Sequence, residues 1–277
     1  MQSSNPVFSR SGGFNGKTAA PAQTDPSQWQ IDLNGGGPPQ SLSGDRRMTL
    51  DSVVEKTAIT LGLLIVAAAA AWFLIGDIST DQSALNKAYG FAMGGALIGL
   101  VLSLVNSFKK VVSPPLILAY AVVEGVFVGA FSKIVSGYVG DPTIVFQAVM
   151  GTMVAFGGTL FAYKFFNIQV TAKFRKVVTI AMFSFVGVML LNFVLSLTGV
   201  FESGGLRGFN TLGLVVSAIA VVLAVFMLIL DFDYVERGVA AGLPESESWR
   251  AAFGLTVTLV WLYIEILRIL AILRGNN

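Results

Sequence analysis

Residues 228–273 read LILDFDYVERGVAAGLPESESWRAAFGLTVTLVWLYIEILRILAIL. Two apolar runs flank a short polar turn, and each run carries a carboxylate, Asp231 near the end of the first and Glu265 well inside the second. A charge at the bilayer centre costs about 2.5–3.5 kcal/mol on insertion scales, so an acid in such a run faces protein or water and marks a functional site by default. Asp231 and Glu265 are therefore the first candidates for the working part of the molecule.

Composition gives the setting for these two acids. Hydrophobic residues make up 54% of the 277 and charged ones 12%, well below the roughly 25% charged of a soluble domain. The chain reads as a polytopic membrane protein whose first partner is the lipid bilayer. It has no cysteine and no histidine, which excludes disulfides, thiolate metal sites and the commonest general base. Proton chemistry near neutral pH must rest on carboxylates, and neither an enzymatic activity nor a cofactor is expected. The net charge of +2 is spread over the span ends rather than gathered in one patch, so nucleic acid is not an expected partner.

Seven apolar windows have the length of membrane-crossing helices: 57–78, 87–107, 115–137, 143–163, 176–199, 210–232 and 250–273. The predicted fold is all-α, with seven spans in a membrane domain over 48–274. Residues 1 to about 45 are rich in Ser, Gly, Pro, Gln and Asn, so 1–47 is read as a disordered cytoplasmic tail. No apolar stretch lies near Met1, so no cleaved signal is expected. Met48 to Lys56 reads as a short amphipathic helix at the membrane surface, with Ser52 and Glu55 at capping-box spacing. Arg46, Arg47, Lys56, Lys109, Lys110, Lys164, Lys173, Arg175, Lys176, Arg237 and Arg250 fall on one side, against Lys87, Lys133, Arg207 and Arg274 on the other. The positive-inside rule then puts the N-terminus in the cytoplasm and, after seven spans, the C-terminus outside.

Polar residues inside the spans divide into two groups. Asn106, Gln147, Thr152 and Asn192 are neutral, and hydrogen bonds between helices account for them. Glu124, near the middle of span three, is a candidate for an ion path. Gly90 with Gly94, Gly95 with Gly99, and Gly125 with Gly129 have the small-xxx-small spacing that lets helices approach closely, and they need no other role.

In span seven, Glu265 and Arg268 are three residues apart and share a face, where an ion pair can form. A helix carrying both charges should be the one most surrounded by protein, with the other six around it. The plainer alternative is that Arg268 snorkels to the interface with Glu265 behind it. A hairpin turning near Pro244 to Ser248 brings Asp231 and Glu265 to similar depths, so contact between them is feasible. Asp231 and Asp233 are two residues apart, about 200° on a helix, and only one of them can face that partner. Asp231 is the more deeply set; Asp233 belongs with Glu236 and Arg237 at the wetter end.

With these residues on the page, the chain resembles the transmembrane Bax inhibitor motif family (Bax inhibitor-1/YccA) in its bacterial branch, over roughly 48–274. In the family's sixth-span motif, tyrosine-aspartate-threonine-glutamine, Asp231 matches the aspartate, Asp233 falls at the glutamine, and Val235 matches the aliphatic residue that follows. Leu262 to Leu267 match the last-span motif, with Glu265 in place of aspartate and Arg268 in place of asparagine. The resemblance implies three two-helix layers around the last helix. It also implies a pH-sensitive calcium leak of the bacterial inner membrane, gated by carboxylates of spans six and seven that share a proton, with Arg268 a candidate counter-charge. Calcium is then the transported ion; a resident metal site is not assigned. Two carboxylates held close in a poorly solvated site cannot both ionise cheaply, so such a pair titrates as a unit and serves as a switch without histidine.

Other classes fit less well. A retinal protein needs a lysine in the last span, and 251–273 holds none. An intramembrane serine protease lacks its histidine here, and the glycine-containing motif of an intramembrane aspartyl protease is absent. A proton-coupled antiporter remains the main alternative, because buried carboxylates also relay protons. A non-transporting regulator of membrane-protein quality control is the third reading.

Overall fold

The computed structural model describes residues 46–199 and 205–275, and every regular element among them is helical. Of the tail predicted over 1–47, residues 1–45 lie outside the described residues. Seven helices follow: α1 Leu50–Ile75, α2 Gln82–Phe108, α3 Pro114–Val139, α4 Thr143–Phe165, α5 Ala172–Leu197, α6 Thr211–Ala240 and α7 Ser246–Gly275, with one 3-10 turn at Gly205–Arg207 before α6. All seven are long and apolar enough to cross a membrane, and such a protein sits in a lipid bilayer.

Local chemistry sets the boundaries. Asp81, Thr171 and Asn210 cap α2, α5 and α6 by accepting from backbone N–H groups of the first turn. Prolines 114 and 115 open α3, where an absent N–H costs nothing. The surface helix expected at Met48 to Lys56 does not exist as a separate element, because α1 runs unbroken from Leu50. Its capping box is Thr49 with Ser52, closed in both directions at 3.0 and 3.1 Å, rather than Ser52 with Glu55. Lys56, at the end of that stretch, is buried and bonded to Glu245 at 2.8 Å, so the helix passes through it into the membrane. Arg46 and Arg47, expected in the tail, are also fixed. Glu245 N donates to the Arg46 carbonyl and Met48 N to the Leu243 carbonyl, both at 2.7 Å, a short antiparallel pairing centred on Arg47 and Pro244.

The last helix is the core of the bundle. In α7, 67% of the central span is buried, against 11% in α5. Its closest backbone neighbours are α1, α3, α4 and α6, while α2 rests chiefly on α3 and α5 chiefly on α6. Contact with α7 is made at the edge, by the Phe185 ring of α5 and by the Lys110 carbonyl just after α2. Four of the six other helices thus pack closely along α7, and the remaining two complete the outer part of the bundle. The first layer is built on α3, which lies against both α1 and α2. Gly125 and Gly129 explain the α1 contact: a Cβ at either would drive into the backbone carbonyl of Leu64 or Ala68. Gly90 and Gly94 face open space and have no such role. Both large apolar clusters draw on α7, one through Leu255, Leu259 and Leu262 against Leu228 and Phe232, the other through Val260, Tyr263 and Leu267 against Leu64, Ala121 and Val128.

Helices α1 and α7 run parallel in a constant register. Ser52 meets Ser248 at 2.7 Å and Thr60 meets Thr256 at 3.0 Å, with the same sequence separation in both pairs. The end of the bundle where both helices begin also holds Lys109, Lys110, Lys173 and Arg175, and is called the basic end below; the opposite end is the far end.

Candidate functional site

One stripe of α7 carries Gly254, Thr258, Trp261, Glu265 and Arg268, spaced by three or four residues and so on one face. That face meets α6. Asp231, half-buried on α6, accepts a hydrogen bond from the Thr258 hydroxyl at 2.7 Å, and Gly254 lies beside its other oxygen. Thr258 Oγ1 is also within bonding distance of its own Gly254 carbonyl, at 3.1 Å. Asp231 has no ion-pair partner among the described residues.

Glu265 is 1% exposed and belongs to the far half of α7. Its nearest partner is Arg207, in the 3-10 turn before α6, whose Nη1 donates to Oε1 at 2.6 Å. Trp261 Nε1 donates to the same oxygen at 3.3 Å, and Arg268 Nε stands 3.9 Å from Oε2, which accepts no hydrogen bond among the described residues. Arg268, itself buried, donates through Nη2 to the Arg207 carbonyl at 2.6 Å and lies over the Phe209 ring at 5.1 Å. The local Glu265–Arg268 pair expected from sequence is thus the longer contact, and Arg207 the shorter one. Arg268 turns inward to protein rather than outward to the interface.

Asp231 and Glu265 do not meet. Asp231 is fixed at Thr258, two turns short of Glu265 along α7, a separation of about 10 Å at the rise of a helix. Each carboxylate has its own partners, so a single proton shared between them has no place in this arrangement. The seam between α6 and α7 instead holds two stations at different depths, with the Trp261 indole between them and Phe185 of α5 against its ring at 5.7 Å.

Asp233 points elsewhere, as its position on the helix requires. Its carboxylate pairs with Arg175 at 2.5 Å and Arg237 at 2.9 Å, and Arg237 also donates to the Val170 carbonyl at 2.9 Å. It is buried by these arginines instead of lying in the wetter surroundings expected of it, and it ties α6 to the start of α5. Glu124 on α3 is not brought to Glu265 either. Its Oε2 stands against Gly99 of α2, and the face of α3 that meets α7 carries Ala121, Val128 and Ser132 instead. Tyr120, one turn before Glu124, packs on Phe253 at 5.1 Å, which sets Glu124 near the depth of Asp231. It makes no hydrogen bond or ion pair among the described residues.

Two functional neighbours escaped the sequence reading. Thr258 looks like any hydroxyl in an apolar helix, and its only sequence signal is Gly254 one turn earlier. Arg207 looks like an ordinary end charge between glycines. Among the described residues no three acidic side chains gather into a cation cage.

The fold and the seam define a polytopic α-helical membrane protein whose central helix is lined with polar and ionised groups. A family model described as Bax inhibitor 1 like matches residues 5–275. The chain belongs to the Bax inhibitor-1-like family. Comparison with curated proteins finds no match.

Proposed function

We propose that this protein is a proton-sensitive cation leak that carries calcium across the cell's inner membrane, with its N-terminal side in the cytoplasm. The observation that carries the reading is Asp231, a carboxylate inside a membrane-crossing helix whose bonded partner is one hydroxyl and which no cation balances. In the protonated form the acid is neutral, and the seam stays packed and dry. Ionised, it draws water into the seam and offers an oxygen ligand to a hard cation. A station with one carboxylate and a few neutral oxygens binds weakly enough to release its ion again, which conduction requires. Glu265 forms a second station further along the same seam. The role is transport without catalysis or a bound cofactor, and the distribution of Lys and Arg supports the orientation.

A proton-coupled antiporter is the second reading, and the separation of the two carboxylates favours it more than a close pair would. A regulator that moves nothing is the third. Purified protein reconstituted in vesicles with an internal calcium dye separates the three. A leak runs down the gradient without a counter-ion, an antiporter needs one, and a regulator leaves the dye silent. For the leak, flux should depend on pH between mildly acidic and neutral conditions, and Asp231→Asn should flatten that dependence while Asp233→Asn leaves it in place. A wild-type profile in Asp231→Asn overturns the assignment.

A further inference from the structure

We propose that Arg207 is a charge plug that closes the far end of the α6–α7 seam; as a statement about conduction this rests on the transport reading above. Three observations place it there. The 3-10 turn that carries it is tied to α5, where Leu206 N donates to Asn192 Oδ1 at 2.8 Å. The Arg207 carbonyl is tied to α7 through Arg268. From between these anchors the guanidinium reaches inward to a carboxylate that is 1% exposed, while Arg207 itself retains 26% side-chain exposure. It therefore stands between outside water and buried Glu265.

Charge decides what the plug does. Among the described residues the cluster holds two guanidiniums, Arg207 and Arg268, against the single carboxylate of Glu265. Its net charge is positive, and a fixed positive charge in a narrow, poorly hydrated passage repels cations. With Arg207 turned outward, the remaining Glu265–Arg268 pair is neutral, and Oε1 loses its strongest donor while Oε2 already lacks one. Both oxygens then face an arriving cation. The same cluster is closed to cations with Arg207 in place and receptive to them without it. Arg207 is a specificity-determining residue of the path, and its release is the step that opens the far side.

Access of water to the cluster can be read without any flux. The chain has no cysteine, and Ser217, fully buried on α6 beside Arg268, accepts a single cysteine of nearly the same size. In vesicles, Ser217→Cys should react slowly with a membrane-impermeant cationic thiol reagent. Adding Arg207→Gln should speed that reaction by about tenfold or more, as expected when a unit charge leaves a poorly screened site. Arg207→Lys should stay slow, and so should Lys87→Gln, which removes an exposed charge elsewhere. Where Arg207→Gln does not assemble, Arg207→Met keeps the stem without the charge and takes its place. Equal labelling with and without Arg207, or the same increase from Lys87→Gln, overturns the plug. If the labelling behaves as stated but no vesicle passes calcium, the transport reading fails and the plug stands.

Discussion

The far-end cluster makes a stability prediction whose order is set by charge balance. Glu265→Gln leaves two guanidiniums facing each other, one of them, Arg268, 5% exposed and unable to turn to water. Breaking a buried ion pair from one side costs about 3–5 kcal/mol, because the remaining charge stays desolvated. Arg207→Gln instead leaves Glu265 with Arg268 at 3.9 Å, a balanced pair, and removes one charged hydrogen bond of 2.6 Å. Such a bond contributes about 1.5–3 kcal/mol. Glu265→Gln should therefore cost more than Arg207→Gln, because Glu265 is the one acid among the described residues that balances both guanidiniums. The double variant should cost less than the sum of the two, with coupling of about 0.5–3 kcal/mol. Reversible unfolding in mixed micelles, followed by circular dichroism across increasing denaturing-detergent fraction, measures all four corners of the cycle. Additive effects, or a larger loss from Arg207→Gln, would refute the charge-balance argument.

Three further outcomes are expected. Gly129→Ala should destabilise by about 1–3 kcal/mol as its Cβ forces α3 away from α1, whereas Gly94→Ala, which meets nothing, should be neutral or stabilise by up to about 1 kcal/mol through helix propensity; equal effects in the same unfolding assay would remove the close-packing account. Lys56 holds the Glu245 carboxyl below its ordinary value of 4.5 by donating a hydrogen bond to it, so the resulting stability is full above that value and is lost as pH falls through the lowered one. Thermal unfolding of Glu245→Gln should accordingly lack part of the wild-type acid slope, and identical slopes would show that the pair contributes nothing. Glu124→Gln should leave the pH dependence of calcium flux unchanged, since its carboxylate faces Gly99 away from the seam; a flattened profile would place it on the path.

The seven spans were legible because each is an apolar run closed by charges, prolines or glycines, and the central place of α7 was legible from Glu265 and Arg268 alone. The close approach at Gly125 and Gly129 could also be read, but the same spacing at Gly90 and Gly94 could not be told from it, since only the neighbouring helix distinguishes them. The relative depth of the two acids was misjudged through the turn. A turn centred between Ala240 and Ser246 sets Asp231 opposite the neighbourhood of Gly254 and Thr258, whereas a turn near Pro244 to Ser248 slides it towards Glu265. The helix α6 runs on past the expected end because Arg175 and Arg237 neutralise Asp233 there. Arg207 was beyond reach: a loop arginine carries no local mark of the helix face it will fold onto.

The parallel register of α1 and α7 has a consequence for how the protein is made. Chains emerge from the ribosome in order, so α1 to α6 enter the membrane while the helix they enclose is still unsynthesised. Until α7 arrives, Ser52 and Thr60 have no partner hydroxyls and Gly125 and Gly129 can join only the outer layer. Arg207 meanwhile reaches into a space with no carboxylate. When α7 is delivered, its two ionised side chains enter a site that already supplies a counter-charge and a carbonyl, which lowers the cost of moving them into the bilayer. Helix α7, translated after the six before it, closes the bundle on α1, so that its entry into the membrane and the completion of the core become one event.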